Sequence, residues 1–279
     1  CWGGYSYTPA KETLDLHTLR DTKKGSPYGY RDGYKLTKNT ITNNVSEKWK
    51  WSRLPNIPSY QGAMTAMCYD IVSNAIYLVG GADYDLKQFH TVSDRGGKVR
   101  FVGKMVWKFT LKNQTWEKMP DLPGTGRIAH GVSCVNGKVY VLGGCSGGTS
   151  TVGGQTSFRT VIDNWALDTS ALQWKRLADT PLVIGNWCRA TAYKDRYIFL
   201  IGGAGYGEVA NDVIKTFWND GKNKPSVMMH ATDPTNFRRA YSNNVFVFDT
   251  KLNKFLYSDP LPLNNNCPMV YIHNDYIYI

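Results

Sequence analysis

Long apolar runs are missing from this sequence. No stretch approaches the ~18 apolar residues that a membrane-spanning helix requires, which argues against an integral membrane protein of that kind. Cysteine is sparse: six residues at Cys1, Cys68, Cys134, Cys145, Cys188 and Cys267, with no C-x-x-C pair among them. That excludes the usual zinc-ribbon spacing, and six cysteines in 279 residues are too few for a disulfide framework. Cys68, Cys134 and Cys188 lie in or beside apolar segments and read as small buried hydrophobes. Histidine is equally thin. His17, His90, His130, His230 and His273 contain no pair at metal-ligand spacing, so no metal and no other cofactor is expected. The P-loop and H-E-x-x-H patterns are absent.

Blocks of positive charge are absent too, although the formal net charge is +11. The basic residues are scattered, and the longest clusters are the pairs Lys23-Lys24 and Arg238-Arg239. A nucleic-acid binder concentrates charge along a phosphate track, whereas a scattered excess attracts small anionic ligands; no nucleic-acid partner is expected. The chain opens on Cys1 without an apolar leader, so the compartment is not readable from its N-terminus. Apolar residues make up 42% and charged residues 20%, a balance that excludes a disordered or collagen-like chain and leaves a substantial core.

What is present is a repeat. Ser73-Asn74-Ala75-Ile76-Tyr77-Leu78-Val79-Gly80-Gly81 joins a turn, an apolar strand and a glycine pair. The same order recurs in Asn136-Gly137-Lys138-Val139-Tyr140-Val141-Leu142-Gly143-Gly144 and in Asp195-Arg196-Tyr197-Ile198-Phe199-Leu200-Ile201-Gly202-Gly203. A fourth copy, Asn274 to Ile279, stops where its glycines fall due, and Cys1-Trp2-Gly3-Gly4 reads as the close of another. Trp51, Trp116 and Trp174 precede the three glycine pairs by 27 to 29 residues, with Phe255 as a weaker fourth. Each unit therefore reads as four short antiparallel strands, the second ending in Gly-Gly and the fourth carrying the aromatic. Four-stranded units in tandem are the blades of a β-propeller. The tryptophans should occupy one position in successive blades, each under the Gly-Gly pair of its neighbour.

These glycine pairs with phased aromatics resemble the Kelch family. The resemblance implies an all-β Kelch-type propeller occupying residues 1–279 as a single domain, with about four blades' worth of sequence. Both ends fall inside blade strands, which reads as part of a six-bladed ring, with a closed four-bladed ring as the alternative. The repeats exceed the ~50 residues of an ordinary Kelch unit. The excess lies after each Gly-Gly, at residues 5–35, 82–105, 145–161 and 204–244, so these insertions should crowd one face.

Ligands of propellers bind at the channel mouth, where loops enter the inner strands. Counting back from the glycines places Gln61, Arg127, Asn186 and Asn265 on one ring, with His130 and Arg189 on another. Arginine and asparagine suit carboxylates and hydroxyls, and Trp187 could cover a sugar face. The same side chains could instead close the ring by bonding backbone carbonyls of neighbouring blades. Leu200-Ile201-Gly202-Gly203-Ala204-Gly205-Tyr206-Gly207 and Pro260-Leu261-Pro262-Leu263-Asn264-Asn265-Asn266 are similar to bacterial Kelch proteins related to N-acetylneuraminate mutarotases. That likeness implies acid–base opening and reclosure of an anionic or hydroxylated sugar, in a periplasmic or secreted setting. It makes Arg189 or Arg127 the carboxylate ligand and Glu208 the proton-transfer group. One departure stands out: Tyr5, Ala82, Cys145 and Ala204 follow the glycine pairs, and none is Glu. The alternative is a scaffold without turnover that binds a glycan or a protein on the insertion-bearing face.

Overall fold

The computed structural model describes residues 5–7, 27–29, 32–39, 48–59, 65–84, 99–152, 155–180, 188–205, 228–229, 240–241, 243–263, 265 and 267–279. It is all-β. Three four-stranded antiparallel sheets follow one another along the chain. The first blade is built from Ala66–Asp70, Ala75–Val79, Val106–Thr110 and Thr115–Met119. The second uses Gly131–Val135, Lys138–Leu142, Asn164–Asp168 and Gln173–Leu177, and the third Arg189–Tyr193, Tyr197–Ile201, Val245–Asp249 and Lys254–Tyr257. Two-stranded pairs flank them: Gly33–Asn39 with Lys48–Leu54 on one side, Tyr271–His273 with Tyr276–Tyr278 on the other.

Local chemistry sets the turns. The inner hairpin of the second blade turns at Asn136 and Gly137, with φ of 49° and 69°, the left-handed pair that a two-residue hairpin needs. At the far end of the third strand, the Asp168 carboxylate accepts from the backbone of Ser170 and Ala171, and Asp249 accepts from Lys251 and Leu252. The following threonines tie this turn to the inner hairpin: Thr169 Oγ1 donates to the Gly137 carbonyl and Thr250 Oγ1 to that of Arg196, both at 2.7 Å. Asp249 also takes both ends of the Arg196 guanidinium, which holds its carboxyl down at about 2.

Inner strands of successive blades touch, as they must around a common axis. In the three blades the second strand ends where the third begins, so their Gly-Gly pairs and the segments that follow them open on one face. The connections into the inner strands open there too. The hairpins between first and second strands, and the turns between third and fourth, lie on the opposite face. The insertions contain strands: Ala82–Tyr84 pairs with Val99–Val102, and Cys145–Val152 with Gln155–Thr160. Adjacent insertions meet, 27–29 against 82–84 and 99–102 against 145–152, in keeping with the shared face expected from the repeat.

Between the blades lies the core. Tyr140 and Leu142 of the second blade pack with Ile198, Leu200, Phe246 and Phe248 of the third, and the Tyr140 and Phe248 rings stand 6.2 Å apart. A second layer places Tyr77, Val79 and Val106 of the first blade against Val132, Val139 and Val141 of the second. Alternation along each strand produces this, since residues of one parity face one neighbour. Among the described residues five cysteines are free thiols: Cys145 and Cys188 buried, Cys68 and Cys134 half-buried, Cys267 exposed.

The tryptophans occupy one register, as the repeat requires: Trp51, Trp116 and Trp174 pair across the outer hairpin with Leu36, Phe109 and Leu167. Their packing differs from the expectation. The Trp116 indole donates to the Pro55 carbonyl at 3.3 Å and that of Trp174 to Pro120 at 3.2 Å, each reaching the outer strand's end in the preceding blade. The outermost strand lies too far from the Gly-Gly pair to cover it. Trp51 is 59% exposed. We expect Trp174→Phe to lower unfolding free energy by about 1 kcal/mol, the worth of one hydrogen bond. Trp51→Phe should change it by less than about 0.5 kcal/mol, as surface changes do; chemical denaturation of both variants checks this.

Candidate functional site at the Gly-Gly face

The glycine pairs are where one blade meets the loop of the next. Gly81 N–H donates to the Arg127 carbonyl at 3.0 Å, and Gly203 N–H to the Asn265 carbonyl at 2.8 Å. A Cβ on Gly80 would stand 2.4 Å from the Arg127 oxygen, and one on Gly202 2.4 Å from the Asn265 oxygen. Both glycines also have left-handed φ, 64° and 63°. Only glycine permits this approach. Arg127 and Asn265 thus occupy the same backbone position in their blades.

The Arg127 side chain turns inward and is fully buried. Its Nε donates to the Thr125 carbonyl at 3.1 Å, and its Nη1 to the carbonyls of Gly143 at 3.1 Å and Asp163 at 2.6 Å. Nη2 pairs with Asp163 Oδ2 at 2.9 Å. These bonds staple the entrance of the inner strand to the end of the second strand and the start of the third. Burial lowers the guanidinium's pKa from its ordinary value, and Asp163 opposes that shift. Asp163, which also accepts from the Trp165 indole, is the residue that sequence reading missed. Its position just before the third strand is the only signal it carries.

His130 is wedged between two blades. A Cβ on Gly80 would meet His130 Cε1 at 2.7 Å, and one on Gly144 would meet His130 Cβ at 2.7 Å. Neither ring nitrogen makes a well-aligned hydrogen bond among the described residues. Burial, reinforced by the Arg127 charge, pushes the imidazole down to about 3, so it is neutral at physiological pH.

Arg189 is different. It is exposed, opens the inner strand of the third blade, and its Nε donates to the Pro268 carbonyl of the next repeat at 3.2 Å. Strand pairing corrects its alignment: Arg189 stands opposite Ile201, and Gly131 opposite Leu142, so Arg189 matches Gly131. His130 matches Cys188 instead. The cause is hairpin length, two residues at Asn136–Gly137 against three at Lys194–Arg196, which shifts a count made from the glycines by one.

Arg127 and His130 therefore meet at the junction of the first and second blades, and Arg189 and Asn265 at that of the third blade with the pair after it. Gln61, Asn186, Trp187 and Glu208 lie outside the described residues. Gly144-Cys145-Ser146-Gly147-Gly148 matches the letters of a nucleophile elbow. An elbow needs a strand-to-helix turn, and here the chain continues as the strand Cys145–Val152.

Fold and site together define an all-β protein of propeller blades with a polar, arginine-bearing face. No protein-family model matches the sequence, and no curated protein matches it. The chain is similar to the solved structure of YjhT, with a TM-score of 0.45 and 14% identity over 75% of this chain and 54% of that one. It thus spans about half of that protein's length.

Arg127→Met should cost about 3 kcal/mol, because it strands the Asp163 carboxylate and takes the donor from the buried Gly143 carbonyl and from those of Thr125 and Asp163. Denaturation at pH 7 checks it. His130 is neutral when folded, whereas the unfolded chain takes up its proton near pH 6.5, so stability is full above that pH. It should fall by up to about 1.4 kcal/mol per pH unit as pH drops from 6.5 toward 3. His130→Gln should flatten that slope in a pH series of melts.

Proposed function

We propose that this chain binds an anionic or hydroxyl-rich sugar at the mouth of the propeller channel, in the manner of the mutarotase-like Kelch proteins it resembles. The observation that supports this most is Arg189, an exposed guanidinium at the head of an inner strand, on the face from which the insertions emerge. Arginine offers a fork that pairs two-to-two with a carboxylate, which a lysine cannot do. The Arg127 guanidinium is engaged by the fold through four donor contacts, so Arg189 is the better carboxylate ligand.

In this reading Asn186 and Asn265 hold hydroxyls and Trp187 covers the apolar face of the ring. Glu208 follows the short strand Ala204–Gly205, which leaves the same face, and would move the anomeric proton. Removal of that proton lets the bond from the anomeric carbon to the ring oxygen break, with a proton passing to the ring oxygen. The hydroxyl so formed then adds to the opposite face of the carbonyl and gives up its proton while the former carbonyl oxygen takes one, which inverts the anomeric centre. A second reading shares the site but omits Glu208: a glycan-binding scaffold without turnover, since a propeller by itself specifies no activity.

Titration with N-acetylneuraminate, followed by calorimetry, tests the binding. Arg189→Ala should weaken it by about 1.5–3 kcal/mol, the range for a hydrogen bond to a charged group, with an unchanged melting temperature. Loss of stability at undiminished affinity would end the proposal. Anomeric exchange measured by NMR separates the two readings: faster exchange with the protein, abolished in Glu208→Gln, supports the isomerase, and binding without acceleration supports the scaffold.

A further inference from the structure

On the face opposite the insertions, a notch opens between the second and third blades. Its position follows from strand register. Tyr140, Ala166 and Lys175 lie side by side across three strands, with Lys138, Asp168 and Gln173 in the next row toward the edge. Side chains of one parity share a sheet face, so both rows look toward the third blade. Facing them is the turn after Asp249, which contributes Thr250, Lys251 and Asn253. The apolar core between these blades ends at Tyr140 and Leu177, which form the floor.

Three ammonium groups thus border the notch against one carboxylate. Asp168 Oδ1 is engaged by its own turn, and Oδ2 meets Lys138 Nζ at 3.8 Å. Lys175 and Lys251 have no ion-pair partner among the described residues. Asn253 is oriented by its Oδ1, which accepts from the Ala178 backbone across the junction at 3.0 Å and leaves the amide hydrogens as donors. The cavity measures about 120 Å³. One water takes about 30 Å³, so a compact ion fits, while ordinary small-molecule sites span about 300–1,000 Å³.

The neighbouring junction is an internal comparison. At the register of Ala166 and Lys175 the first blade carries Lys108 and Glu117, which pair with each other at 3.2 Å. The turn residue matching Lys251 is Ser170 in the second blade, each standing two places after the aspartate that ends the third strand. The same backbone notch is thus charge-compensated at one junction and left with an excess of positive charge at the next.

We propose that the notch bordered by Lys138, Lys175 and Lys251 binds a compact tetrahedral oxyanion, a sulfate or phosphate group. The three lysines are exposed, so the attraction rests on their number: an anion there relieves the mutual repulsion of three ammonium groups that face one carboxylate. The site lies on the face opposite Arg189 and does not depend on the sugar-binding reading. The group could be a free ion or an ester carried on a glycan.

Calorimetric titrations at low ionic strength with inorganic sulfate, inorganic phosphate, N-acetylglucosamine 6-sulfate and unsulfated N-acetylglucosamine test this. Lys175→Glu/Lys251→Ser installs the residues of the neighbouring junction and should weaken oxyanion binding by at least about tenfold, or about 1.4 kcal/mol. Lys112→Glu/Lys50→Ser makes the same change of charge at exposed positions away from the notch and should weaken it by less than about twofold, as screened surface charges do. Both variants should melt with the parent. Tighter binding of the sulfated sugar than of inorganic sulfate identifies an ester-bearing glycan; equal or weaker binding identifies the free ion. No saturable binding of any oxyanion, or equal weakening by both double variants, overturns the proposal.

Discussion

The approach of the Gly80-Gly81 and Gly202-Gly203 pairs to the next blade's loop is the constraint on which this structure depends. At Gly80 and Gly202 the neighbouring carbonyl occupies the place of a side chain, and at Gly81 and Gly203 the backbone N–H bonds to that same carbonyl. A left-handed φ and an absent Cβ are required together, which is why the pair recurs at each repeat. Once those bonds form, the angle between blades is set. The apolar residues of one parity then meet the next blade, and the aspartate–threonine turns fall on the far face. The inter-blade core and the outer Trp-to-Pro carbonyl bonds stabilise an arrangement that the glycines make sterically possible.

The two faces consequently have different chemistry. One receives the Gly-Gly ends, the inner-strand entrances and the insertions, and carries Arg189 in the open. The other consists of tight turns whose Asp, Ser and Thr side chains satisfy their own backbone. On that second face, variation at three or four turn and strand positions changes the charge of a notch without touching the fold. The contrast between the Lys108–Glu117 pair and the lysines of the next junction arises in this way.

Arg127 and His130 show how a polar residue at a blade junction is drawn into structure. A buried guanidinium needs acceptors, and the strand ends at Gly143 and Asp163 offer carbonyls that no sheet partner uses. The His130 ring, deprived of water, gives up its proton instead. Arg189 gives only its Nε to a carbonyl, that of Pro268, and sits one register position beyond His130, on an exposed side of its strand.

Much of this architecture was legible in the residues themselves. Alternating apolar strands, the glycine pairs and the phased tryptophans specify four-stranded units, because those features act over a few residues and report local geometry. The register of the tryptophans and the shared face of the neighbouring insertions follow from the same repetition. The tertiary structure alone decided what each polar side chain does. Hairpins of four, two and three residues in successive blades displace any count made from the glycines, so Arg189 and His130 match in number but not in space. The partner of Arg127 is Asp163, 36 residues away, and it is brought close only when the second and third strands end side by side. The lysine notch likewise joins two blades whose contributions are separated by more than seventy residues, from Lys175 to Lys251. Local pattern sets which strands form; the approach of distant strand ends sets which charges meet.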